Sequence, residues 1–135
     1  MITDNDLKNI LSEAANGLLF ISELDYPFEV FVWNNTKETK LNKEEIFKLT
    51  KGKPEDTIED FDFDFLFSIH TMDQDWHSPE DSKRVLRFRN LVKVLKENLK
   101  DIKVFRRGKI YIDVYVVGRA PSGNIAGVST KQMQT

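Results

Sequence analysis

The sequence predicts an α+β domain, with helices packed on a mainly antiparallel sheet. Three observations predict it. Polar cap residues precede runs of apolar residues at helical spacing, most clearly at Thr3 and Ser78. Alternating apolar runs bounded by turn residues stand at 26–33 and through the last third of the chain. The resulting order is one helix, one strand, three helices, then three strands. A length of 135 residues fits one domain with one core, covering 1–135.

Each element has a local cause. Thr3 can accept from free amides, and Asp6 stands three residues on, as in a capping box. Leu7, Ile10, Leu11, Ala14 and Leu18 then recur at helical spacing, and Gly17 is a stop. YPFEVFVW, residues 26–33, reads as a strand with Pro27 confined to its start or an edge. Phe28, Val30 and Val32 point one way; Glu29, Phe31 and Trp33 point the other. Both faces of the strand are therefore expected to be covered. Asn42 caps a short helix holding Ile46 and Leu49, which Gly52 and Pro54 end.

FDFDFLF, residues 61–67, fits a strand by alternation and a helix started by Asp60 or Asp62; the reading leans to a short helix. Ser78, Pro79, Glu80 and Asp81 open the clearest helix. Val85, Phe88, Val92, Leu95 and Leu99 form its stripe. Strands follow at 104–106 and 109–117, joined near Arg107 and Gly108. The last strand runs from Ile125 to about Lys131.

Composition narrows the function. Hydrophobic residues make up 40% and charged residues 31%, as in ordinary globular proteins, and ten Phe supply core area. The chain has no cysteine, so disulfides, thiolate zinc sites and cysteine nucleophiles are excluded. No apolar run approaches membrane-spanning length and no signal-peptide pattern opens the chain, so a cytoplasmic location is expected.

The net charge of −2 hides a sorting of charge. Residues 54–82 hold ten Asp or Glu and no Lys or Arg; residues 83–109 hold eleven Lys or Arg against Glu97 and Asp101. The basic run is either the solvated side of the long helix or, in the rival reading, a nucleic-acid-binding face over 83–107. The acidic run is either solubilising or a substitute for phosphates, because carboxylates fit the same arginine forks and hard-metal sites.

Candidate sites are few. His70 and His77 lie outside the usual spacing of local zinc motifs, with no obvious third ligand. Trp76 sits on a polar loop before a helix cap, where it either folds onto the core or anchors an interface. Glu23 and Asp25 flank Leu24 in a connection, the kind of segment that carries function. No serine sits in a nucleophile turn and no glycine-rich phosphate loop precedes a helix. A binder fits better than an enzyme.

GLLFISELDYPFEVFVW (17–33), QDW (74–76), DVYVVG (113–118) and NIAGVSTK (124–131) together resemble the bacterial inhibitors of sugar-nonspecific nucleases, the nuclease A inhibitor family. The resemblance implies an α/β/α sandwich around a four-stranded sheet, as in PR-1-like proteins, and a helical FDFDFLF. It implies that one molecule binds one metal-dependent DNA/RNA endonuclease and closes its active site, with no cofactor and no catalysis. Glu23 matches the family's acidic loop residue that pairs with a nuclease arginine. Gln74 and Trp76 match its second contact loop, with Asp25 and Asp75 as neighbours. Thr135 matches the C-terminal residue that reaches the nuclease's magnesium region, where its carboxylate replaces a phosphate oxygen. Gln134 stands where the family pattern carries an acid.

Overall fold

The first helix, α1 (Asp4–Ala15), begins at the predicted cap. Thr3 Oγ1 accepts from the Asp6 amide at 3.1 Å, and the Asp6 carboxylate accepts from the Thr3 amide at 3.0 Å. Leu7, Leu11 and Ala14 are buried. Gly17 turns the chain out at φ 75°, a left-handed conformation open to glycine without a Cβ penalty. The structure is a computed structural model describing residues 2–51, 57–72 and 77–134.

The strand expected at 26–33 is divided. β1 (Leu19–Ile21) and β2 (Asp25–Pro27) pair antiparallel as a two-stranded ribbon, and β3 (Glu29–Trp33) joins the main sheet. The division falls at Phe28, directly after Pro27, which has no amide hydrogen for a ladder. α2 (Lys43–Leu49) starts at Asn42, whose Oδ1 accepts from the Glu45 amide at 2.9 Å. Its end is at Thr50; Gly52 and Pro54, the expected stops, lie outside the described residues.

FDFDFLF contains both of its readings. Phe61 closes β4 (Ile58–Phe61), and Asp62 caps α3 (Phe63–Thr71) by accepting from the Phe65 amide at 2.7 Å. α4 (Pro79–Asn98), β5 (Lys100–Arg107), β6 (Tyr111–Arg119) and β7 (Ile125–Met133) complete the chain. The main sheet has five strands in the order β3-β7-β6-β5-β4, all neighbours antiparallel, and not the four expected. The strand missed is β4. Glu59 and Asp60 in its centre mask it as a strand, and the same charges suit a sheet edge, where they discourage pairing with other chains.

Period-two alternation gives the sheet two covered faces. Val30, Val32, Ile112, Val114, Val116, Ala126 and Val128 pack with α1, α3 and α4. Phe31, Trp33, Phe105, Val117 and Ile125 pack on the other side with Leu41 and with Ile46 of α2. This is helix, sheet, helix.

β7 lies inside the sheet, between β3 and β6. A Cβ on Gly127 would sit 1.8 Å from the Val116 carbonyl oxygen. Any side chain there must push β6 and β7 apart. Gly127→Ala is expected to cost about 2 kcal/mol or more of stability, read as a lowered urea midpoint at unchanged slope.

Candidate functional site

Glu23 stands at the tip of the β1–β2 ribbon, and Asp25 opens β2; both are exposed. Ser22 shapes this turn. Its amide donates to the Leu24 carbonyl at 3.3 Å, and its hydroxyl donates to the same oxygen at 2.8 Å. The Ser22 hydroxyl also accepts from the Met133 amide at 3.1 Å. A second fastener lies three residues earlier in β7, where the Thr130 hydroxyl donates to the Pro27 carbonyl at 2.9 Å. The acidic turn is thus tied to the end of β7.

Gln134 follows β7 and is held twice. Its amide donates to the Ile110 carbonyl at 2.9 Å, and its Oε1 accepts from Arg106 Nη2 at 3.0 Å. Arg106 is itself placed by Glu59 at 3.5 Å and by the Phe61 ring, 4.6 Å from its centroid. Thr135 lies outside the described residues, as do Gln74, Asp75 and Trp76.

Both flanks of the 73–76 segment are fixed. Arg89 Nε donates to the Thr71 carbonyl at the end of α3, at 2.7 Å. Ser78 and Asp81 form a reciprocal capping box at the start of α4, which holds the Asp81 carboxyl below its usual range. Ile21 of the ribbon lines one hollow with Ile69, His77 and Arg84 and another with Ser22, Phe65 and Gln132. Ribbon, β7 end and the flanks of 73–76 therefore meet in one region. Glu23 and Asp25 are the predicted site residues that can be located there.

Residues 5–135 match the family described as "Nuclease A inhibitor-like protein". The chain belongs to that family. Among curated proteins, none matches it. Membership of an inhibitor family points to a nuclease as the partner.

In this inhibitor-like chain the basic run is largely engaged with the protein itself. Arg84 pairs with Asp81 at 3.3 Å, Lys93 with Glu97 at 3.8 Å and Lys96 with Asp64 at 3.3 Å. Arg87 donates to the Asn16 carbonyl, and Lys103 Nζ to the Leu41 carbonyl at 3.0 Å. Arg107 donates to the Thr50 carbonyl at 2.8 Å and to Asp113 at 3.1 Å. No helix among the described residues is long and apolar enough to cross a membrane.

The two histidines share a hollow at this end, and no cluster of three His, Cys, Asp or Glu suits a metal ion among the described residues. His70 is buried. Its ring stacks on Phe88 at 4.6 Å and leans on Phe20 at 4.8 Å, and its Nε2 has no hydrogen-bond partner. Burial, helped by the Arg84 charge, lowers its pKa to about 4. It is a neutral aromatic piece of the floor at neutral pH.

Ser22, Thr130 and Gln132 were missed by sequence reasoning. Ser22 and Met133 are 111 residues apart, and no local pattern announces a hydroxyl bridge over that distance. Two outcomes are expected. Ser22→Ala should cost about 1 kcal/mol and speed hydrogen exchange at the Met133 amide more than at amides of β6. The depressed His70 pKa means that the unfolded chain takes up a proton first as pH falls. Its contribution to stability is full above about pH 6.5 and is lost as pH falls through about 4. His70→Leu should flatten the fall in stability over that interval, measured by urea unfolding at several pH values.

Proposed function

We propose that this protein is a single-domain, PR-1-like inhibitor of a metal-dependent, non-specific DNA/RNA endonuclease, acting as a 1:1 complex in the cytoplasm. It blocks the enzyme's active site with Glu23, Asp25, Gln74, Asp75, Trp76 and the carboxylate of Thr135. It needs no cofactor and catalyses nothing.

One observation carries the reading: the Ser22 hydroxyl joins the Glu23 turn to the Met133 amide, two residues before Thr135. Separate acidic groups then approach an enzyme on one rigid support. Carboxylates fit arginine forks bidentately, as phosphates do. Magnesium takes hard oxygen ligands and keeps several waters, so a carboxylate can serve it directly or through water. Fixing the residues on either side of each contact lowers the ordering cost of binding. The engagement of Arg84, Arg87, Arg106 and Arg107 with the protein's own carbonyls and carboxylates supports inhibition over direct nucleic-acid binding.

The test is a nuclease assay with and without the protein. Glu23→Arg should weaken inhibition by about 2–5 kcal/mol, the cost of breaking a desolvated charge pair. Deleting Thr135 alone moves the terminal carboxylate back by about 3.3–3.6 Å and leaves the Gln134 contacts available. It should weaken inhibition sharply at an unchanged melting temperature. Full inhibition by both variants would refute this site.

A further inference from the structure

α3 is apolar on two sides. Leu66, Phe67 and His70 face the core. Phe65 and Ile69, four residues apart, form a second stripe that is 67% and 72% exposed, and Met72, the residue that ends the helix, is 56% exposed. Ile21 and Leu24, at the ends of the Glu23 turn, are also exposed. Phe65, Ile69, Ile21 and Gln132 border one groove, so the stripe is continuous with the site described above.

The stripe is also held in place. Phe65 leans on Phe61 with ring centroids 5.6 Å apart, and Phe61 lies under Arg106. Asp62 caps the helix and Lys96 pairs with Asp64 on its far side. Acids border it: Glu23 and Asp25 flank Leu24, and Asp62 stands at the start of the helix, all three exposed. Anchored aromatic and aliphatic groups inside a charged rim are what a protein interface places at its centre.

We propose that Phe65, Ile69 and Met72, with Ile21 and Leu24, form the apolar half of the nuclease-binding surface and dock on an apolar patch of the enzyme edged by basic residues. The acidic rim favours that occupant over a second copy of this chain, whose own rim would repel it. This inference rests on the inhibitor reading above. The anionic groups then supply steering and active-site closure, and the α3 stripe supplies the slow release.

The experiment uses the full chain and a purified magnesium-dependent, sugar-nonspecific nuclease. Phe65→Ser/Ile69→Ser should lower affinity about 100-fold or more, mainly through faster dissociation, with the melting temperature not lowered. Phe65→Leu/Ile69→Val should retain affinity within a few-fold. Equal binding by the serine pair and the parent overturns the proposal while leaving the inhibitor reading intact. Failure of the parent to bind or inhibit overturns both. Self-association of the parent that the serine pair abolishes assigns the stripe to a homodimer and also overturns it.

Discussion

β7 is hydrogen-bonded to β6 along its full length, from Ile125 opposite Arg119 to Met133 opposite Tyr111. Its other edge is paired with β3 only as far as Ser129. Beyond that point backbone groups in a mostly covered sheet still need partners. At this open edge the Ser22 hydroxyl takes the Met133 amide, while the Thr130 hydroxyl ties the Pro27 carbonyl of the ribbon to β7. The break at Phe28 makes this possible. Continued in the β3–β7 register, a strand from 25 to 33 would have set Asp25 opposite Met133; the break lets the Ser22 hydroxyl take that amide instead. The geometry of the acidic turn follows from an unpaired edge.

The sorted charge has a matching structural sense. The acidic and basic halves of the chain pack against one another, as Arg89 holds Thr71, Lys96 meets Asp64 and Arg106 meets Glu59. An exposed pair such as Lys96 with Asp64 contributes from near zero to about 1 kcal/mol. The effect of these contacts is more in position than in stability. Arg106 illustrates this: one guanidinium touches Glu59, Gln134 and the face of Phe61, linking the edge strand to the residue after β7. A neutral Gln134 accepts this bond as an acid would, and the Arg106 charge stays shared with Glu59.

Sequence reasoning succeeded where the cause was local. Thr3, Asn42 and Ser78 cap helices as their spacing indicated, and the faces of Val30, Phe31, Val32 and Trp33 separated as alternation required. It failed where three or four residues had to be judged without a period. Leu19–Ile21 is too short to alternate visibly, and Ile58–Phe61 carries two acids in the middle of a strand. Glu23 and Asp25 are singled out by their place in a connection and by a resemblance in the surrounding block, not by any property that sets two exposed acids apart from others. The hydroxyls that hold them had no signal at all, because their partners lie about a hundred residues away.

The two ends of β7 differ in kind, and on the proposed reading the difference separates folding from recognition. At its start, Thr36 Oγ1 accepts from the Ile125 amide at 2.8 Å and donates to the Trp33 carbonyl at 2.6 Å. Asn124 Nδ2 and Ser122 Oγ donate to the Asp4 carboxylate, and the Ser122 bond above all holds its pKa below the usual range. Arg119 donates to the carbonyls of Thr36, Gly123 and Thr39. Every one of these named polar groups is answered from within the chain. At its finish, β7 meets exposed Ile21, Leu24, Phe65 and Ile69 beside exposed acids. Leaving such groups in water forgoes burial that this domain could have used for its own stability. These groups stand at the end where a paired strand, a tethered turn and two fixed loop flanks converge. On that reading the network around Thr36, Asn124 and Arg119 anchors the start of β7, and the proposed contact groups lie at its opposite end.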